Sequence, residues 1–221
     1  MVSKILDESF TFDDVLIRPA ASAMEPAEAS LKTNIGGINF LVPFLSAAMD
    51  KVTEVRMAIA LGKLGGLGVL HRNCSIEEQA KMVKEVKQTG VRVAAACGPF
   101  AADRAQALDE AGCDVIVIDC AHGHNLNVVA SAKKIKKALK HAKMIYGNIA
   151  TAEAAKEACK FADAIKVGVG PGSICTTRLI SGVGVPQLSA ILEVVHVASK
   201  KGVPVIADGG IRTSGDIAKA L

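Results

Sequence analysis

Short apolar runs and amphipathic stretches alternate along this chain from residue 42 to its end. Val42–Ser46, Val91–Cys97, Asp114–Ile118, Lys143–Tyr146, Ala164–Val167 and Val203–Ala207 read as buried strands, and a glycine-rich run, Gly65–Asn73, reads as a further strand with its exit. Between them the 3.6-residue period predicts helices over Val52–Leu64, Ser75 to about Lys87, Ala101–Ala111, Val128–Leu139, Ala152–Cys159 and Gln187–Lys200. A last helix starts at Asp216 and runs to Leu221. Strand–helix alternation with short loops argues a parallel sheet wound by helices.

The polar and glycine-rich residues follow the strands and do not precede them. Met49-Asp50, His71-Arg72-Asn73, Asp119-Cys120-Ala121, Gly147-Asn148, Gly168–Arg178 and Asp208–Arg212 all stand at strand exits. That sidedness is that of an α/β TIM (β/α)8 barrel, whose site lies at the C-terminal face. An open doubly wound sheet is the competing architecture, but it gathers its ligand groups at one switch point. The pattern supplies about seven strands in 221 residues, whereas a full barrel takes about 250 residues. The expectation is a single catalytic barrel domain over 1–221, C-terminally incomplete, with an N-terminal arm over 1–40.

Capping signals refine the picture. Ser75-Ile76-Glu77-Glu78 has the pattern of a capping box. Within the arm, Asp13 and Asp14 read as capping or salt-bridge groups, because they stand far in sequence from any glycine loop. The Lys-rich helix Val128–Leu139 reads as a solvated outer face.

Composition narrows the class. Half of the residues are hydrophobic, 22% are charged and only 3% are aromatic, so the core is aliphatic. A net charge of +4 with dispersed Lys and Arg suits a small anion and lacks the basic stripe that nucleic acid needs. The six cysteines form no CxxC pair and no zinc spacing. With neither a signal peptide nor a long apolar span, reduced thiols and a cytoplasmic location are expected, with no membrane partner.

The candidate chemistry centres on Lys166–Arg178. Gly168, Gly170 and Gly172 allow positive φ and close approach of a ligand to bare N–H groups, as a phosphate requires. Ser173, Cys175 and Thr177 alternate in the same loop, and a thiol among polar groups past a strand end is a candidate nucleophile. Asp119 and Asp208 end strands, where a carboxylate can accept two ribose hydroxyls or serve as a cap or ion-pair partner. Asn148 can position a reacting group. His122 and His124 lack an evident third ligand, so no metal is expected there.

The string Gly170–Arg178, followed by Gly182–Gln187, resembles the catalytic-cysteine loop of the inosine-5'-monophosphate dehydrogenase and guanosine-5'-monophosphate reductase family. Thr11–Pro19 resembles the same family's N-terminal signature, and the likeness runs from Thr11 to Leu221. The resemblance implies that Cys175 attacks C2 of inosine monophosphate (IMP), that a hydride passes to NAD+, and that water releases xanthosine monophosphate, as guanine nucleotide synthesis requires. It implies that Thr177 assists the thiol. Ser173, Gly172, Gly209 and Gly210 would hold the phosphate, Asp208 the ribose, and Met49 and Asn148 the base. Asp119, His71, Ala121, Gly168 and Gly170 would border the dinucleotide. The carbonyls of Gly170, Gly172 and Cys175 would bind potassium.

The resemblance further implies a homotetramer, an eighth strand with a second phosphate-binding segment, and a flap bearing Arg and Tyr; no stretch up to Leu221 supplies these. Family members commonly carry a CBS pair between the second helix and third strand, whereas Lys87–Gly90 joins them directly here. Two other functions fit the same loop: an NADPH-dependent GMP reductase and a nucleotide-binding module without turnover. His71-Arg72-Asn73 and Thr177–Gln187 look closer to the dehydrogenase.

Overall fold

The computed structural model describes residues 8–221; the first seven positions of the N-terminal arm lie outside the described residues. Six strands form a parallel sheet in chain order: β3 (Gly68–Leu70), β4 (Val93–Cys97), β5 (Val115–Asp119), β6 (Lys143–Ile149), β7 (Ala164–Val167) and β8 (Val205–Ala207). Helix α1 (Val55–Lys63) leads into β3, helices α2 (Ile76–Gln88), α3 (Ala102–Glu110), α4 (Leu126–Ala138), α5 (Ala152–Ala158) and α7 (Gln187–Ala198) connect the six strands, and α8 (Ser214–Ala220) follows β8. A short α6 (Thr177–Ser181) interrupts the β7–α7 connection. The expected strand at 42–46 is reduced to a parallel bridge between Leu45 and Leu67. The backbone N–H of Ser46 still donates to Leu67 O at 3.1 Å, so this segment extends the sheet beyond β3.

Side-chain alternation explains the curl. Val69, Ala94, Ala96, Val115, Val117, Ile145, Ala164 and Ile206 pack into one interior cluster. The opposite parity (Leu70, Val93, Ala95, Ile116, Ile118, Met144, Ile165 and Val167) packs with the helices. Both faces of each strand are therefore apolar, which is why the strands read as continuous hydrophobic runs. The two sheet edges, Leu45 and Val205–Ala207, line one cavity of about 590 Å3, so the sheet is an incomplete barrel with an open seam. Gly68 lets helix and sheet touch, because a Cβ there would stand 2.3 Å from Ala58 Cα.

Within the expected arm, the chain forms an antiparallel hairpin, β1 (Thr33–Ile35) and β2 (Ile38–Phe40). Ile35 and Phe40 join the interior cluster. A Cβ on Gly36 would meet Asp163 and Lys143, at the starts of β7 and β6, so the hairpin closes the barrel's N-terminal end. The earlier part of the arm packs on the last repeat. Phe12 is buried, the Phe10 carbonyl accepts from Ser189 N at 3.1 Å, and Lys219 Nζ donates to Phe12 O at 2.7 Å. Asp13 pairs with Arg212 and Asp14 caps the Phe12 turn, as their spacing suggested. The capping box at Ser75 is present: its hydroxyl accepts from Glu78 N at 3.1 Å and Glu78 accepts from Ser75 N at 2.9 Å. From α2 the chain passes to β4 through Thr89–Arg92 alone.

Candidate active site

The interior parity carries four positions to the top of the barrel. Asp119 follows Val117 on β5, Gly147 follows Ile145 on β6, Lys166 follows Ala164 on β7 and Asp208 follows Ile206 beyond β8. Lys166 Nζ lies 3.2 Å from Asp119 Oδ1 and 2.7 Å from Asp208 Oδ2. Burial pulls the ammonium toward neutrality, but the Asp208 and Asp119 carboxylates outweigh it and hold the Lys166 pKa above the usual lysine value. Asn148 Nδ2 donates to Asp208 Oδ2 at 2.8 Å and to Gly168 O at 2.7 Å. Asn148 Oδ1 is buried without a partner, an acceptor left over beside the carboxylates.

After β7 the backbone turns sharply. Gly168 has φ +146°, and a Cβ there would stand 2.1 Å from Asp208 O, so only glycine lets the two loops touch. Gln187, at the start of α7 and buried, donates from Nε2 to Val167 O at 3.0 Å and to Asp208 O at 3.1 Å. It ties the ends of β7 and β8 together. The loop then brings Pro171 and Gly172 against Gly209, where a Cβ would stand 3.1 Å from Gly172 N. Gly209 (φ +87°) and Gly210 (φ +78°) hold the opposing turn. The two glycine turns expected to share a phosphate are thus neighbours in space.

Cys175 stands exposed beyond that contact. Its N–H donates to Gly172 O at 3.0 Å, and its Sγ lies 3.3 Å from Thr177 Oγ1. The Thr177 hydroxyl and then its backbone N–H stabilise the thiolate and hold the Cys175 pKa below the usual thiol value. The other five thiols move the opposite way. Burial raises Cys74, Cys120 and Cys159 and pushes Cys97 and Cys113 up to about 12. One cysteine of six is therefore both reachable and activated, which is the requirement for a nucleophile.

The remaining expected residues divide. Met49 lines the same cavity as Asp119, Lys166, Asp208 and Gly209. Ser173 and Ala121 are exposed on their loops. His71 is buried at the exit of β3 in a separate cluster, 3.9 Å from Asp50 Oδ1 and 3.8 Å from Glu54 Oε1. Its Nδ1 accepts from Asn73 N at 3.1 Å, which places the ring proton on Nε2, facing the carboxylates as a donor and not as a metal ligand. Three residues of the site lie in stretches the sequence singled out but carry roles it did not assign. Lys166 was signalled by a charge inside an apolar run, and Gln187 by an amide at a helix start. Arg178 ends the Cys175 loop; its Nε donates to Val169 O at 3.0 Å and its Nη2 to Val185 O at 2.6 Å, closing the loop on itself.

Comparison with known proteins places the chain in a family. The model of the IMP dehydrogenase / GMP reductase domain matches residues 9–221. The inosine-5'-monophosphate dehydrogenase of Cryptosporidium parvum is 41% identical over 266 aligned residues, which cover all of this chain and 66% of that protein. That of Borreliella burgdorferi is 39% identical, covering 100% of this chain and 68% of its own length. That of Methanocaldococcus jannaschii is 36% identical over 342 residues, covering 97% and 69%. This chain thus spans about two thirds of these relatives' length. With a family match over nearly every residue and an activated cysteine in the matching loop, the chain belongs to the IMP dehydrogenase / GMP reductase family.

Proposed function

We propose that the protein oxidises IMP to xanthosine monophosphate with NAD+ as acceptor, in guanine nucleotide synthesis. The observation that carries this reading is Cys175: the one exposed thiol, activated by Thr177, on a glycine loop pressed against a second glycine turn. Gly172, Ser173, Gly209 and Gly210 offer backbone N–H groups to the 5'-phosphate. Asp208, fixed through one oxygen by Lys166 and Asn148, has its other oxygen for the ribose hydroxyls. Met49 borders the base from the cavity wall, and Asn148, which donates to Asp208 Oδ2, stands beside the base region.

The Cys175 thiolate adds to C2 of the purine, forming a C–S bond. A hydride leaves C2, and NAD+ supplies its acceptor. Water then attacks C2, the C–S bond breaks, and the product departs with its new oxygen while one proton is released. Thr177 Oγ1 stabilises the sulfur anion at the first step and again as it leaves. Asp119, with one oxygen on Lys166 and one free, is suited to the dinucleotide's ribose, with Ala121 and Gly170 as further contacts; Gly168 would contribute by shape alone, because its N–H is held by Ile149 O and its carbonyl by Asn148. The carbonyls of Gly170, Gly172 and Cys175 are hard oxygen donors of the kind potassium takes; the Gly172 oxygen keeps one lone pair after accepting from Cys175 N.

Formation of NADH from IMP and NAD+ in potassium buffer tests the reading, with Cys175→Ala as control. A Cys175-dependent rise in NADH absorbance is expected. NADPH consumption with GMP in its place moves the assignment to the reductase. Silence in both assays from folded protein leaves a nucleotide-binding barrel.

A further inference from the structure

We propose that Lys166 couples the two nucleotide subsites, holding Asp119 and Asp208 as a pair so that each presents a free carboxylate oxygen to a ribose. The inference rests on the reading above, in which Asp208 faces the substrate and Asp119 the dinucleotide. The geometry behind it is a lane across β6. Lys166 on β7 pairs in register with Gly147 on β6, and Asp119 on β5 pairs with Gly147 from the other side. To reach Asp119, Lys166 must cross β6 where β6 carries no side chain. A Cβ on Gly147 would stand 2.7 Å from Lys166 Cβ and 2.6 Å from Lys166 O.

The polar accounting points outward to two ligands. Lys166 Nζ donates to Asp119 Oδ1 and to Asp208 Oδ2, two of its three N–H groups, and its side chain is only 16% exposed. Asp208 Oδ2 also accepts from Asn148. Among the described residues, Asp208 Oδ1 and Asp119 Oδ2 have no hydrogen-bond partner, and these side chains are 39% and 32% exposed. A lysine that served only to fill the top of the barrel would not need two carboxylates turned to it. Two carboxylates within reach of one ammonium repel each other without it, and one then takes a proton or swings into water. Either outcome spoils the bidentate acceptor, and it does so at both subsites together.

The test uses the purified protein and initial rates with IMP and NAD+ varied separately. Lys166→Met keeps the stem and removes the charge; Lys166→Arg restores a cation. Lys166→Met is expected to raise KM for both IMP and NAD+ roughly tenfold, with Lys166→Arg recovering part of each loss. Asp208→Asn raises the IMP value alone and Asp119→Asn the NAD+ value alone. The wild type is expected to discriminate against 2'-deoxy-IMP and Lys166→Met to discriminate less, which lost packing alone would not cause. A KM change for one substrate only, or full discrimination retained in Lys166→Met, overturns the proposal. If the wild type shows no turnover, the activity reading falls instead. The coupling is then read calorimetrically: dependence of IMP binding on the 2'-hydroxyl that is equal in wild type and Lys166→Met overturns it, and absence of IMP binding overturns both.

Discussion

Cys175 Sγ and Thr177 Oγ1 lie 3.3 Å apart on a loop open to solvent, and this contact is the leading cause of the lowered Cys175 pKa. Removing the hydroxyl removes a donor that favours the charged form, so the pKa rises. Thr177→Val is therefore expected to move the alkylation profile of Cys175 by iodoacetamide to higher pH and to slow modification several-fold near neutrality. The profile is read by mass spectrometry of the peptide containing Cys175. An unchanged profile shows that the hydroxyl does not activate the thiol.

Gly168 and Asp208 make a second dependence testable. With Asp208 O only 2.1 Å from where a Cβ would stand, Gly168→Ala must push the Asp208 turn away from the β7 exit. The strain at φ +146° adds to this. A displacement of about 1 Å at a positioning group costs roughly 100-fold in turnover. A fall of that order in kcat/KM is expected, with the fold retained by circular dichroism.

The closing of the Cys175 loop depends on Arg178. Its two donations to Val169 O and Val185 O span the loop, and its stem packs where Gly170 and Gly184 have no side chains. Arg178→Met keeps much of the stem and loses both bonds. Faster limited proteolysis between residues 170 and 185 is expected, together with reduced turnover and little change in Tm, because α6 is exposed and contributes nothing to the core. Unchanged cleavage shows that the glycine turns alone hold the loop.

The alternation of the chain was legible because the barrel strands are apolar on both faces, so strand and helix differ in length and in glycine content even where both are apolar. β7 was located to the residue, and Gly168, Cys175 and Asp208 announced themselves by residue type at strand exits. The hairpin at Thr33–Phe40 was not legible: each strand has three residues, too few for a period, and the Gly36-Gly37 turn stood inside what read as an extended arm. The 42–46 strand shrank to a bridge because its far edge lies on the open seam and has no partner there. Lys166 was passed over as part of an apolar run. Its meaning depends on Gly147, a neighbour in register that lies far from it in sequence. His71 fell at a strand exit yet joined Asp50 and Glu54, a grouping that needs the path of α1.

The opposite end of the barrel sets stability, and Asp109 is the sharpest case. It sits at the end of α3, only 3% exposed, and its carboxylate accepts from the backbone N–H groups of Lys140, His141 and Ala142 at 2.6, 3.2 and 2.7 Å. These amides belong to the turn that feeds β6, on the face away from Cys175. A hydrogen bond to a charged group is worth about 1.5–3 kcal/mol, and a buried donor left unpaired costs a similar amount. Lys140 and His141 are exposed and can bond water instead, whereas Ala142 is buried and cannot. Asp109→Ala is thus expected to destabilise by roughly 2–4 kcal/mol. For a domain of this size each kcal/mol lowers Tm by about 2–4 °C. Asp109→Asn keeps one acceptor oxygen and loses less. Because β6 keeps its register with β5 and β7 in the folded state, kcat/KM below the melting transition should stay within about twofold of wild type. Thermal melting and assay of the same samples check both halves: a Tm unchanged in Asp109→Ala removes the stability role, and a kcat/KM loss well below the transition shows that the turn is coupled to the catalytic face.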